Sequence, residues 1–552
     1  MRRLILPFLL VLAGACAPAT TTGPRTPAPA PVRAEPAPAP APTVEAAASG
    51  APSAWWLAAT DATGAYGASV ERAYRELLQG RAPARTIVVA VIDSGVDIEH
   101  ADLDDNLWKN PGETAGNGRD DDGNGYVDDV HGWNFIGGRD GRHVDLDTYE
   151  VTRLFAKCRQ RAEGGSPRNA PAPAECGVIE QDQQERVRES EEQLAQVRNM
   201  NTMLGHVTRL LREATGTPQL TVNNVRALSP IRSDVQQARQ VYLQLAAAGY
   251  SPEDISKEQK RLEDLIEYSL NPAFDPRGIV GDDYENPHER GYGNPDVTGP
   301  DASHGTGVAG IIGAERDNGL GGDGIAPAVR IMTLRAVPNG DERDKDVANA
   351  IRYAADHGAH IINMSFGKAW SPEKAVVDAA VRYADEKGVL MVHAAGNDAA
   401  DLASQPNFPN RRYDDGGEAQ NWIEVGASGW QGAGRLAAEF TNFGARQVDV
   451  FAPGVDIHTT DVKEAWQTSS GTSFAAPVVS GIAALIMAYY PQLTATDVRR
   501  VILESATPMP EQLVLRPGGK EQVRFGALSI TGGLVNAYEA VRLAEKLSAG
   551  KR

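Results

Sequence analysis

Positive charge, cysteine and long apolar runs are all scarce in this chain of 552 residues. Lysine and arginine number 54 against 73 aspartate and glutamate residues, which gives a formal net charge of -19. Because a surface that binds nucleic acid needs basic residues to meet the phosphates, this composition excludes nucleic acid as an expected partner. With 41% hydrophobic and 23% charged residues, the chain suits one large globular domain with additional segments.

The apolar run nearest the N-terminus, "LILPFLLVL", is too short to span a bilayer. It follows Arg2 and Arg3 and precedes the small residues "AGA" and Cys16, which predicts an export signal over residues 1–15. The segment resembles a bacterial lipoprotein signal, which implies that Cys16 is lipidated and anchors the protein to a membrane. An ordinary secretory signal with an incidental cysteine is the alternative.

Only three cysteines occur in the chain. Lipidation of Cys16 would leave Cys158 and Cys176 as a possible pair in an oxidising compartment, with two free thiols as the alternative. A disulfide between them would close a loop of about 17 residues and stabilise the fold by about 3 kcal/mol. We therefore expect the protein in the bacterial cell envelope, lipid-anchored at the outer membrane or the cell surface.

The segment after the signal is made mostly of alanine, proline and threonine, as in "PAPAPVRAEPAPAPAPT". Proline removes backbone donors and keeps a chain extended, so residues 16–54 are expected to form a disordered, semi-rigid tether. The tether would hold the folded part of the chain away from the surface to which it is attached.

Three short segments place chemically versatile residues beside glycines. The β-branched run in "TIVVAVIDSGVD" predicts a buried strand with Asp93 at its carboxyl end. "SHGTGVAG" places His304 near the start of a helical pattern, and "GTSFAAP" places Ser473 near the start of an apolar helix. Alone, each residue has a simpler interpretation, as a turn aspartate, a core histidine or a helix N-cap.

Together and in this order, "VIDSGVD", "HGTGVAG" and "GTSFAAP" resemble the three signature motifs of the subtilisin-like serine peptidases, or subtilases. The resemblance implies an α/β fold, with a doubly wound parallel sheet and helices on both faces. It also implies a triad in which Ser473 is the nucleophile, His304 the general acid and base, and Asp93 the residue that orients the imidazole.

The same resemblance assigns residues that bind the substrate. "VLMVHAAGN" predicts a buried strand that leads to Asn397, which in subtilases donates a hydrogen bond to the oxyanion. Substrate binding is assigned to five residues: Ser365, Phe366, Gly367, Ala395 and Gly396. Without the other motifs, Asn397 would be interpreted as a turn residue and Phe366 as a core residue.

The acidic loop "RDDDGNGYVDD" has the spacing of a calcium-binding loop of EF-hand type. Its twelfth position is His131 and not glutamate, so we expect an incomplete calcium site, with a solvated acidic turn as the alternative. The predicted ligands are Asp120, Asp122, Asn124, the backbone of Tyr126, and Asp128.

A long amphipathic segment interrupts the resemblance. Apolar residues recur there at three- and four-residue steps, and Ser251, Pro252 and Asp254 give the start signal of a further helix. We expect a helical insertion over residues 148–275, between catalytic segments at 55–147 and 276–552. It is interpreted as a decorating hairpin, with a lid or a docking arm for a protein partner as the sharper hypothesis.

The predicted function is that of a surface-tethered serine endopeptidase that cleaves protein or peptide substrates through an acyl-enzyme. The alternative is a catalytically silent binding or scaffold protein on the same fold, which would use the helical insertion as its interface. The presence of Asp93, His304, Ser473 and Asn397 together favours the enzyme, because a silent protein has no chemical need for all four.

Overall fold

The computed structural model describes residues 51, 52 and 54–550. Contacts within the chain separate residues 1–52 from residues 53–552, and the described helices and strands all belong to the second unit. The predicted export signal, the lipidation site Cys16 and nearly all of the predicted tether lie outside the described residues.

The strands of the described residues form one large sheet and two hairpins. They are β1 (Ile87–Asp93), β2 (Gly132–Asn134), β3 (Val329–Arg335), β4 (Ile361–Met364), β5 (Leu390–Ala394), β6 (Trp422–Ser428), β7 (Val450–Pro453), β8 (Ile457–Asp461), β9 (Ala465–Ser469), β10 (Thr507–Pro508), β11 (Leu513–Leu515), β12 (Gln522–Arg524) and β13 (Gly533–Leu534). The large sheet has the order β10-β13-β7-β6-β5-β4-β1-β3-β2. All its neighbouring strands are parallel except β10 and β13.

Helices connect most of these strands. They are α1 (Thr60–Thr63), α2 (Val70–Ala73), α3 (Glu150–Ala162), α4 (Pro173–Thr215), α5 (Val222–Ala227), α6 (Ser233–Ala247), α7 (Pro252–Asp264), α8 (Ser303–Gly313), α9 (Asp344–Asp356), α10 (Lys374–Glu386), α11 (Thr472–Tyr489), α12 (Ala495–Glu504) and α13 (Ala537–Ala549). Single π-turns (Tyr74–Leu78 and Leu265–Ser269) and short 3₁₀ segments (Asp104–Asn106, Pro276–Ile279, Ala433–Arg435 and Phe525–Ala527) are also present.

The central strands are buried on both faces because helices cover each side of the sheet. Ala90 and Ile92 of β1 belong to a core cluster shared with α9 and α10. On the other face, α11 packs against β4, β5 and β6 and also against α8. The predicted α/β fold with a doubly wound, mostly parallel sheet is therefore confirmed.

Helix α11 is the most apolar helix of the described residues. It is the one helix there that is long and apolar enough to cross a membrane, but 89% of it is buried inside the fold. Its small residues allow close packing, since a Cβ atom on Gly481 would lie 2.7 Å from the Cβ atom of Ile325. Helix α11 is thus a core helix, and the sheet and α8 pack against it.

Helices α3 to α7 lie between β2 and β3 in the chain and fall within the predicted insertion. Helix α4 has 43 residues, which at 1.5 Å per residue is about 65 Å. Helices α3, α6 and α7 pack along it. The predicted start of α7 is confirmed, because the Ser251 side chain accepts a hydrogen bond from the Asp254 N–H while the Asp254 carboxylate accepts one from the Ser251 N–H.

Two apolar clusters hold the helices of the insertion together. Near its tip, an apolar cluster that includes Leu211, Val225 and Tyr242 joins α4 to α5 and α6. At its base, Leu154 of α3 and Ile179 of α4 pack together with Trp370, which follows β4. The sulfur atoms of Cys158 and Cys176 lie 2.07 Å apart in a disulfide that links α3 to α4.

Candidate active site

Asp93 and His304 meet where β1 ends and α8 begins. The Nδ1 atom of His304 lies 2.7 Å from Oδ1 of Asp93. The same carboxylate oxygen accepts a hydrogen bond of 2.8 Å from the backbone N–H of Ser94. The Asp93 side chain is 3% exposed and that of His304 is 38% exposed, so a buried carboxylate orients an imidazole that solvent can still reach.

Glycine allows this close approach of helix to strand. A Cβ atom on Gly305 would lie 2.1 Å from the carbonyl oxygen of Gly95 and 3.1 Å from Cβ of Asp93. Since real Cβ atoms do not approach a carbonyl oxygen so closely, any larger residue at position 305 would push α8 away from β1. The glycine that follows His304 in the sequence motif is therefore a packing requirement of the Asp93–His304 contact.

The surroundings of His304 change its acidity. Burial acts to lower the pKa of the imidazole, but the charge and hydrogen bond of Asp93, helped by the charge of Asp301, outweigh burial and raise this pKa above its ordinary value. A histidine whose protonated form is stabilised by a fixed carboxylate is suited to accept a proton from a neighbouring hydroxyl group.

Ser473 lies in the first turn of α11 and is 7% exposed. The ring of the next residue, Phe474, contacts the ring of His304, with 5.5 Å between the ring centroids. A Cβ atom on Gly471 would lie 2.8 Å from Oγ of Ser473 and 3.6 Å from Nδ2 of Asn397. The serine hydroxyl and the asparagine amide therefore border the same small space, which only glycine leaves open.

Thr472 fixes the orientation of Asn397. The Oδ1 atom of Asn397 accepts hydrogen bonds from the backbone N–H of Thr472 at 2.8 Å and from its hydroxyl group at 3.0 Å. Within the described residues, Nδ2 of Asn397 has no hydrogen-bond acceptor. The amide thus presents a free donor at the N-terminus of an 18-residue helix, where the helix dipole also favours negative charge.

The predicted substrate residues follow two neighbouring strands. Ser365 follows β4, and its hydroxyl group donates a hydrogen bond of 2.8 Å to the backbone oxygen of Ser473. Phe366 is half-buried against the core cluster under α9 and α10. Ala395 and Gly396 follow β5, where the carbonyl oxygen of Ala395 accepts a hydrogen bond of 2.8 Å from Asn442.

Asn407 also borders this space, although the sequence did not indicate it. A Cβ atom on Gly367 would lie 2.5 Å from both Oδ1 and Nδ2 of Asn407, and one on Gly396 would lie 3.4 Å from Nδ2. The Asn407 amide donates to the carbonyl oxygens of Ala394 and Ala395 at 3.2 and 3.3 Å. Since Asn407 belongs to no motif, only the folded chain brings it between two predicted substrate residues.

The acidic loop brings together part of the predicted calcium ligands. Carboxylate oxygens of Glu113, Asp120 and Asp122 lie within 4.8 Å of one another. The prediction did not include Glu113, whose Oε2 atom is buried without a hydrogen-bond partner in the described residues. Three converging carboxylates, one with an unsatisfied buried oxygen, fit a hard cation such as Ca²⁺.

Two other predicted ligands are used differently. The carboxylate oxygens of Asp128 accept hydrogen bonds from the backbone N–H groups of Asn117 and Gly118 at 3.0 and 2.9 Å. Asn124 accepts a hydrogen bond of 2.7 Å from the N–H of Tyr126, whose side chain is buried in the core. The structure therefore groups Glu113 with Asp120 and Asp122, while the Asp128 carboxylate accepts hydrogen bonds from the backbone of the loop.

The chain is similar to a known protein family and to named proteinases. The model of the "Subtilase family" matches residues 84–526. A "Thermophilic serine proteinase" from Bacillus sp. (strain AK1) is 39% identical over 222 residues, which are 40% of this chain and 49% of that protein. "Subtilisin Savinase" from Lederbergia lenta is 32% identical over 241 residues, which are 43% of this chain and 77% of that protein.

The chain spans about half the length of the first curated relatives that it matches. Among solved structures, a cold adapted subtilisin-like serine proteinase is similar at a TM-score of 0.34 and 27% identity, over 43% of this chain and 77% of that chain. The interval matched by the family model contains Asp93, His304, Asn397 and Ser473.

Proposed function

Since the chain belongs to the subtilase family of serine peptidases, we propose that it hydrolyses peptide bonds through an acyl-enzyme formed on Ser473. The single observation that carries this proposal is the contact of 2.7 Å between the buried Asp93 and His304, beside the start of the helix that bears Ser473. The family implies a protein or a peptide as substrate.

Each proposed step uses one of the side chains described above. His304 removes the proton from the Ser473 hydroxyl group, which then attacks the scissile carbonyl carbon. Asp93 holds the imidazole in the required tautomer and stabilises the imidazolium that forms. The amide of Asn397 and the N-terminus of α11 stabilise the oxyanion, and His304 then protonates the leaving amine. Water attacks the acyl-enzyme in the same manner and releases the second product.

Labelling with a fluorophosphonate probe tests this proposal. We expect the full-length protein to form one adduct on Ser473, as located by peptide mass, and the Ser473→Ala variant to form none. Ser404→Ala changes an exposed serine on a loop and serves as the matched control. A folded protein that forms no adduct on Ser473 would refute the proposed activity.

We further propose a structural calcium ion held by Glu113, Asp120 and Asp122. Calcium binding is general among subtilases, and an ion would neutralise three carboxylates that otherwise repel one another. Calorimetry of the chelator-treated protein should show calcium binding and a higher melting temperature on its addition. Asp122→Asn should weaken both effects, whereas Asp415→Asn, which changes an exposed carboxylate paired with Arg382, should not. Unchanged melting with and without calcium would contradict the site.

We also propose that lipidated Cys16 tethers the protein to the bacterial cell envelope. Its support is the sequence alone: a short apolar run, small residues before the cysteine, and a proline-rich segment after it. In cell fractionation, the wild type should be recovered with membranes and Cys16→Ala with the soluble fraction. Recovery of the wild type as a soluble, unlipidated protein would refute the anchor.

A further inference from the structure

The segment expected to pair with the substrate has a free backbone edge. In the part of the chain that the structure describes, Ser365, Phe366 and Gly367 make no backbone–backbone hydrogen bond beyond the ladder of β4. Unpaired backbone groups of this kind can accept a peptide as an added strand. Because Ser365 contacts Ser473, the segment leads away from the nucleophile as it continues towards Gly367.

The next residue, Lys368, is paired with a neighbouring segment. Its backbone N–H donates to the carbonyl oxygen of Phe408 at 3.0 Å, and its carbonyl oxygen accepts from the Phe408 N–H at 2.9 Å. Its side chain is 1% exposed, and Nζ donates to the backbone oxygen of Glu342 at 2.8 Å. The lysine therefore connects the segment after β4 to a second segment, residues 341–342.

Helix α3 of the insertion holds this connection in place. Glu150 forms an ion pair of 2.8 Å with Lys368 and another of 2.7 Å with Arg153. Arg153 donates to the backbone oxygens of Asp341 and Glu342 at 3.2 and 3.3 Å, and the N–H of Glu150 donates to the Asp341 carboxylate at 2.8 Å. The backbone oxygen of Glu342 is thus already used by two cationic side chains and is closed to a substrate strand.

These contacts define a root cluster of four carboxylates and two cations. Its members are Glu150, Arg153, Asp341, Glu342, Asp344 and Lys368. Burial raises the pKa of Glu342 to about 8, and burial also raises the pKa of Asp341. Glu342 is 2% exposed, and its Oε1 atom has no hydrogen-bond partner in the described residues.

Even with Glu342 protonated, the three remaining carboxylates of the root cluster outnumber its two cations. Glu150, Glu342 and Asp344 are buried, and Asp341 is the partly exposed carboxylate among the four. A ligand that brings a positive charge to this point would supply what the cluster lacks. The amino terminus of a peptide carries such a charge. A substrate that begins at this point would bring its amino group beside Asp341.

We propose that helix α3 closes the upstream end of the substrate groove, and that the site takes peptides whose free amino terminus lies about three residues before the scissile bond, beside Asp341. The length follows from the three-residue free edge, because paired strands match residue for residue. The inference rests on the proposed peptidase function. The sequence predicts an endopeptidase, whereas a groove closed in this way restricts cleavage to bonds near the amino terminus of the substrate.

The test compares matched substrates on the full-length protein. The substrates are aminocoumarin amides of tripeptides in which the third residue, next to the scissile bond, is varied. Each tripeptide is prepared in three forms: with a free amine, with an N-acetyl group, and with two further residues at the amino end. For the best third residue, we expect kcat/KM to be at least tenfold higher for the free tripeptide than for either modified form. Equal or faster hydrolysis of the acetylated or extended substrates would overturn the proposal.

Fluorophosphonate labelling of the same preparation separates two kinds of failure. Labelling of Ser473 together with equal rates on all three substrates overturns the closed groove alone. Absence of labelling overturns the proposed function and the closed groove with it.

Asp341→Asn tests the contact with the amino terminus. Asparagine keeps an oxygen for the Glu150 N–H but loses the charge, so we expect the preference for the free amine to fall at least fivefold, through KM, with kcat within twofold. Asp415→Asn is the matched control and should keep the preference. An unchanged preference in Asp341→Asn, with labelling intact, would overturn the role of Asp341.

Discussion

The catalytic centre and the root cluster both bury carboxylates beside basic side chains, and they balance these charges differently. At the catalytic centre one carboxylate, Asp93, faces one imidazole whose side chain is 38% exposed. At the root cluster, four carboxylates lie around Lys368, whose side chain is 1% exposed, and Arg153, whose side chain is 10% exposed. The first arrangement leaves a group free to gain and lose a proton, whereas the second fastens helix α3 to the segments that follow β3 and β4.

The difference shows how the same interaction serves two purposes. A single buried pair with an accessible partner allows proton transfer at small structural cost. A network of several buried charges is hard to break, because removing one partner leaves the others desolvated and unpaired. We therefore expect substitutions at the catalytic centre to affect turnover and substitutions at the root cluster to affect stability and substrate length.

The largest expected effect is that of Lys368→Met on stability. This change leaves Asp344 without its cation and Glu150 with Arg153 alone, so the free energy of unfolding should fall by about 3 to 5 kcal/mol. Chemical denaturation measures this loss. Lys387→Met removes a partly exposed ion pair with Asp356 and should cost less than about 1 kcal/mol. Equal losses of stability in Lys368→Met and Lys387→Met would show that the root cluster does not hold helix α3 in place.

Asn397→Ala should act on turnover alone. Loss of the free amide donor is expected to lower kcat by about 10²-fold to 10³-fold, with little change in KM or melting temperature. Thr472→Val removes one of the two hydrogen bonds that orient Asn397 and should lower kcat by a smaller factor. Steady-state kinetics with a peptide substrate measure both variants. A large loss of stability in Asn397→Ala would contradict the expectation that substitutions at the catalytic centre act on turnover alone.

Glu342→Gln should change how stability depends on pH. The pKa of Glu342 is raised to about 8 in the folded protein, against about 4.3 in an unfolded chain, so its protonated form is favoured by folding. The stability that this proton provides is complete below about pH 4 and is lost as the pH rises towards 8. Glutamine keeps the neutral form, so the variant should melt higher than the wild type at pH 9, by on the order of 2 °C, and nearly alike at pH 5.

Thermal melts of Glu342→Gln and Glu511→Gln at the two pH values make this comparison. Glu511 is an exposed glutamate with a side chain that is 77% exposed, so its replacement should have no such pH dependence. A difference between wild type and Glu342→Gln that is the same at pH 5 and pH 9 would contradict a protonated Glu342.

The smallest expected effect is that of Asp301→Asn on the pH profile. Because the charge of Asp301 helps to raise the pKa of His304, its removal should lower that pKa. The general base works in its neutral form, so kcat/KM should rise with pH through the His304 pKa, and its midpoint should move to lower pH by a few tenths of a pH unit. Asp415→Asn should leave the midpoint in place, and a shift to higher pH would contradict the assignment.

Much of the sheet could be predicted from local sequence. The β-branched run of β1 and the apolar helix α11 have patterns typical of a buried strand and a buried helix, and both lie where the motifs indicated. The helices of the insertion followed from their apolar spacing and from the start signal at Ser251. The roles of Glu113, Asn407 and Thr472 were missed, because each depends on a partner that lies on a different segment of the chain.

The sequence by itself determined the fold class, the family and the identities of the candidate catalytic residues, because short motifs carry both backbone shape and side-chain chemistry. The tertiary structure decided what surrounds those residues. Lys368 and Glu150 are separated by more than 200 positions in the chain yet form an ion pair of 2.8 Å. Such a contact depends on how helices and strands pack in three dimensions, and periodicity or spacing along the chain contains no trace of it.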